Sequence, residues 1–154
     1  MNATQTVLQQ ADIAVFSADY LLQLVIEIKT KKNATAEWGM QYRRNLLVHG
    51  SLPSSPFFMF VMPDQIFLWT NINKNLERNP DYQLKTTAVF GQSVMADLED
   101  ISQDGLELIT RSWLHLLMVA NLQIDSLEPH WQWLFESGLY EAIHHGSVGI
   151  ETRS

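Results

Sequence analysis

The chain contains no cysteine. Without thiols it has neither a disulfide framework nor a thiolate metal site, and a cytoplasmic setting is expected. Positive charge is also scarce: 10 Lys and Arg stand against 17 Asp and Glu, for a formal net charge of −7. No overall positive field draws nucleic acid to this surface, although a few basic residues gathered in one groove could still hold phosphates. No apolar run approaches the ~20 residues of a membrane span, and the opening MNATQTVLQQ has neither a basic start nor an apolar core. Neither a membrane segment nor a signal peptide is therefore expected. The G-x-S-x-G and G-x-x-x-x-G-K patterns are missing, which argues against serine-elbow hydrolases and phosphate-loop enzymes. The five histidines show no metal-ligand spacing, and no internal repeat or low-complexity tract is present.

What remains is 154 residues, 46% of them hydrophobic, enough for one domain with its own core over residues 1–154. The stretch Ala11 to Lys29, ADIAVFSADYLLQLVIEIK, organises the rest. It reads as two strands joined by a turn. Alternation puts Asp12, Ala14 and Phe16 on one face of the first strand, with Ile13 and Val15 on the other. On the second strand Val25, Glu27 and Lys29 oppose Leu24, Ile26 and Ile28. A hairpin turning at Asp19 and Tyr20 sets Asp12 opposite Glu27. Two carboxylates and an ammonium then converge beside an apolar sheet. Mg²⁺ takes one or two carboxylates plus waters and substrate phosphate, and Lys29 could orient the attacking water or offset charge on a phosphoryl oxygen.

An Asp on one strand followed by a carboxylate-any-Lys triplet on the next resembles the PD-(D/E)XK nuclease superfamily, with its restriction-endonuclease-like fold. Asp12 matches the Asp and Glu27-Ile28-Lys29 the triplet; Ala11 replaces the Pro that often precedes the Asp. The resemblance covers roughly residues 11–70. It implies an α/β fold with a mixed central sheet flanked by helices, and hydrolysis of a phosphodiester bond in nucleic acid. It further implies Mg²⁺ or Mn²⁺ held by Asp12, Glu27 and the main-chain carbonyl of Ile28, with Lys29 positioning or activating the water. Family members often carry a Gln or Tyr facing the site from the following helix, which makes Gln41 and Tyr42 candidates to orient substrate or a water on the metal. Such cores usually begin with a helix and a further strand before the motif Asp, and the polar residues 1–10 depart from that pattern.

The remaining elements follow from periodicity and turn chemistry. Residues 34–49 read as a helix capped by Asn33 or Thr35, with Glu37 in its first turn, Gly50 past its end, and Trp38, Tyr42, Leu46 and His49 along one stripe. Lys31, Lys32, Arg43 and Arg44 form the chain's basic concentration and are candidates to grip phosphates. SLPSSP is a loop, FFMFVM and QIFLWT form a hairpin around Pro63-Asp64, and residues 71–81 a surface loop. A weaker strand is expected from Tyr82 to Phe90, and residues 91–100 give no clear pattern. A helix from about Gly105 to Asn121 is expected, capped by Asp104, with Leu106, Ile109, Trp113, Leu116, Leu117 and Ala120 inward. Two shorter helices follow, one from Pro129 to Gly138 and one ending at Gly146; together they make a C-terminal helical layer over residues 104–146. His144 and His145 are expected to favour the C-terminal dipole of their own helix.

Two other readings compete with a nuclease. One is a catalytically silent module of the same fold, serving as a protein-interaction or regulatory domain, with a homodimer as one form; the other is a solvated hairpin face on an unrelated α+β fold.

Overall fold

The computed structural model describes residues 11–50, 55–70, 77–91, 100–122 and 131–149. Residues 1–10, most of the SLPSSP loop, residues 71–76, residues 92–99 and the Pro129 helix start lie outside the described residues.

The hairpin forms from β1 (Ile13–Phe16) and β2 (Leu22–Ile28), antiparallel. Its turn differs from the expected one in two ways that offset each other. The loop has three residues, Ala18 to Tyr20: Tyr20 N donates to Ser17 O and Ser17 N to Leu21 O, and Tyr20 takes φ +65° to close it. That loop pairs Phe16 with Leu22, but Val15 then pairs with Leu24, so Gln23 bulges out as an extra residue. The bulge restores the expected register, Ile13 with Ile26, and one further step sets Asp12 opposite Glu27.

β2 leads through α1 (Ala36–Val48) into β3 (Phe57–Val61), which lies parallel to β2 with Glu27 beside Phe60. A parallel neighbour requires such a crossover, and the helix covers one face of the sheet. Thr35 caps α1 by accepting Trp38 N at 3.0 Å, and Gly50 (φ +69°) follows its end. β4 (Gln65–Thr70) returns antiparallel to β3, and β5 (Tyr82–Lys85) adds to β4. A short β6 (Ser147–Val148) pairs antiparallel with β1. The result is an α/β fold with a mixed, open six-stranded sheet, order β5-β4-β3-β2-β1-β6. Four further helices are described: α2 (Thr86–Phe90), α3 (Gln103–Val119), α4 (Trp133–Glu136) and α5 (Leu139–Ile143). Among the described residues no helix is long and apolar enough to cross a membrane.

The two faces bury different cores. Against α1, the sheet presents Val25, Phe58, Phe60, Met62, Phe67 and Trp69, met by Trp38, Tyr42 and Leu46. Against α3, α4 and α5 it presents Ile13, Val15, Leu24, Ile26, Ile28, Met59, Ile66 and Leu68. Gly39 sets how closely α1 sits, because a Cβ there would lie 2.7 Å from Cδ2 of the fully buried Phe67.

Several local expectations are corrected. The Tyr82 strand stops at Lys85 because Thr86 is claimed from a distance: its N donates to Asp64 O and its hydroxyl to Met62 O, which starts α2. α3 begins two residues early, capped by Ser102 accepting Gly105 N at 3.0 Å, and Asp104 lies in its first turn. Its inward stripe is rotated: Leu106, Thr110, Trp113, Leu114, Leu117 and Met118 are buried, whereas Leu116 is exposed. His49, expected on the stripe of Trp38, Tyr42 and Leu46, is exposed and forms the C-cap of α1, one residue before Gly50. His144 serves a different helix from the expected one, its Nδ1 donating to Leu117 O near the end of α3.

Candidate functional site

Asp12 precedes β1 and Glu27 lies one residue from the end of β2, so both belong to one end of the central strands. Ile28 N donates to Asp12 Oδ2 at 2.8 Å, locking the aspartate onto the strand that carries the triplet. Glu27 is 7% exposed and is the one ionisable side chain among the buried polar residues described; the other two, Thr86 and Thr110, donate to Met62 O and Leu106 O. Keeping a carboxylate at such a place is costly unless it is paired or binds a cation. Lys29, two residues on, shares the α1 face, and its Nζ stands 4.7 Å from the centre of the Tyr42 ring. Tyr42 is itself braced by Trp38 (5.1 Å between ring centres) and by the edge of Phe60 (5.5 Å).

The sheet register and α1 thus bring Asp12, Glu27, Lys29 and Tyr42 to one flank. Gln41 falls on the exposed side of α1, its amide reaching back to Glu37 at 3.4 Å, and is not gathered with them. Among the described residues no group of three or more His, Cys, Asp or Glu assembles. An all-protein cage is not what Mg²⁺ requires, however: two carboxylates and a main-chain carbonyl such as that of Ile28, completed by waters and substrate, make a fitting donor set.

The basic residues divide between separate places. Lys31 Nζ stands 5.3 Å from the Trp38 ring centre, Lys32 is exposed, and Arg44 is exposed with Glu77 at 3.7 Å. Arg43 turns beneath α1 to lie 5.4 Å from the Trp69 ring centre and 5.8 Å from that of Phe58. Its Nε and Nη1 are buried with no hydrogen-bond partner among the described residues. Burial holds its guanidinium below the usual value; the nearby Arg78 adds to this and Asp81 opposes it. Arg43 therefore belongs to the β3/β4 side of α1, whereas Tyr42 and Lys29 belong to the β2 side.

Two contributors escape a local reading of the sequence. Phe60 lies inside a run that reads simply as buried strand, yet it supports the Tyr42 ring. Arg111 has the i,i+4 spacing of an ordinary surface pair with Glu107, yet its Nη2 donates to the main-chain oxygen of Asp12 at 3.2 Å, across 99 residues. No family model, no curated protein and no solved structure matches this chain.

Proposed function

We propose that the chain is a divalent-metal-dependent phosphodiester hydrolase acting on nucleic acid, built on a restriction-endonuclease-like fold. The observation that carries this reading is the buried Glu27, one residue beyond the Ile13–Ile26 pair that Asp12 precedes, with Lys29 two residues further on the same face. Asp12, Glu27 and the carbonyl of Ile28 hold Mg²⁺ or Mn²⁺. When bound, the cation offsets the negative charge that builds on the phosphoryl oxygens. Asp12 brings its carboxylate already oriented by Ile28 N. Lys29 orients the attacking water and adds positive charge at the developing oxyanion. Tyr42 keeps the ammonium beside the strand, since a ring face attracts a cation without neutralising it.

The test is calorimetry with Mn²⁺ on the wild type, Asp12→Asn and Glu27→Gln, followed by a cleavage screen with Lys29→Ala as control. Binding lost in both carboxylate variants, and cleavage lost in Lys29→Ala with binding kept, is the expected result. No wild-type binding at millimolar Mn²⁺ would turn the assignment to a catalytically silent interaction or regulatory module. One observation favours that second reading: Leu108, Leu116 and Val119 lie exposed along α3, a surface suited to a protein partner or a second copy.

A further inference from the structure

We infer that Arg111, on α3, is the positioning residue for Asp12, held in place for that task by Glu107. Asp12 directly precedes β1. On the outer edge of β1, Gly149 N donates to Ala14 O, and the described β6 pairs with Val15 and Phe16. The carbonyl of Asp12 lies two residues back along the same edge. Arg111 Nη2 takes that carbonyl at 3.2 Å, and Arg111 Nε is tied to Glu107 Oε2 at 3.1 Å. The side chains of Arg111 and Glu107 are 23% and 17% exposed, so the pair is sheltered enough to hold one geometry.

The main chain of Asp12 is thus fixed from the α3 side and its carboxylate from β2, through Ile28 N. A guanidinium suits this place because it is always charged, and its rigid fork serves the carbonyl and the carboxylate at once. Arg111 does not touch the proposed cation. It acts through the position of Asp12, as the outer partners of a ligand commonly do, and for the metal this role rests on the proposed function.

The test uses two backbone amides of β2 as an internal pair. Ile28 N–H is bonded to the Asp12 carboxylate, whereas Lys29 N–H is bonded to Val61 O on the other side of the same strand. Hydrogen exchange is measured on the wild-type protein, Arg111→Met and Arg111→Lys. Loosening of Asp12 raises the Ile28 rate relative to Lys29 by about tenfold in Arg111→Met, with partial recovery in Arg111→Lys; general destabilisation raises both rates together. An unchanged ratio in Arg111→Met overturns the inference, whatever the protein does with metal. Should Arg111→Met fail to fold, Glu107→Gln keeps the arginine but frees it, and the same ratio should rise by about twofold to threefold; no rise there counts against the inference. Mn²⁺ calorimetry on the same proteins supplies the second arm, with affinity about tenfold weaker in Arg111→Met. A raised exchange ratio with wild-type Mn²⁺ affinity would overturn the link to the metal. A raised ratio in a protein whose wild type binds no Mn²⁺ would uphold the positioning of Asp12 and remove the nuclease reading.

Discussion

The two faces of the sheet solve the same packing problem with different materials. The face under α3, α4 and α5 is mostly aliphatic where it belongs to the sheet, and no buried carboxylate, ammonium or guanidinium is described on it. The face under α1 is aromatic, covered by a single described helix, and it carries Lys29 and Arg43 against its rings. Aliphatic side chains interlock but offer a charge nothing, whereas ring faces tolerate a cation beside them. The aromatic face is thus able to hold ionic groups close to a core, and the aliphatic face can be optimised for stability alone. The candidate chemistry falls on the first.

Substitutions on the two faces test this contrast. Leu114→Ala, at a fully buried position of α3, should lower stability by about 2–5 kcal/mol in urea unfolding. Mn²⁺ affinity should be unchanged; a loss of affinity as large as in the carboxylate variants would show that the faces are not independent. Gly39→Ala should cost about 1–3 kcal/mol, because the ring of Phe67 has no room to yield and α1 must lift. Unlike Leu114→Ala, it should also reduce any cleavage activity, since Tyr42 moves with the helix. Tyr42→Leu should cost about 0.5–1 kcal/mol from the lost ring contact with Lys29, and Tyr42→Phe should cost little, which equilibrium unfolding would separate. The smallest effect is expected at Arg43. Two of its nitrogens are buried without a described partner, so Arg43→Met should leave stability unchanged or raise it by about 1 kcal/mol. A clear loss would mean that contact with Phe58 and Trp69 outweighs the unmet donors.

Much of the α1 face was legible in the sequence because its logic is local. Alternation, a turn at the right distance and a cap at Thr35 are enough to set Asp12 opposite Glu27 and to place the helix after them. Even so, the register came right through a three-residue loop and a bulge at Gln23, neither of which alternation reveals. By sequence Arg43 groups with Lys31, Lys32 and Arg44 as one basic concentration able to grip phosphates. Gly39, one turn earlier, was the missed sign that this side of the helix approaches β4 closely enough to draw the side chain beneath it. What sequence pattern could not supply was long-range: Thr86 turned into a helix by Asp64 and Met62, and Arg111 reaching Asp12. Each depends on a partner that only the folded chain brings near.

The edge strand β6 has a consequence for the order in which the molecule assembles. The carboxylate hairpin needs only residues 12–27, and contacts so near in sequence form early. Its outer edge waits for Val148 to reach Val15, and the chain can approach so closely only because Gly146 has no Cβ, which would otherwise meet the Phe16 carbonyl. A nascent chain that has emerged no further than α3 therefore holds both carboxylates while leaving β1 an open edge, available to pair with another chain. Closure of that edge belongs to the last stage of folding, so the carboxylate pair can form before the sheet around it is complete.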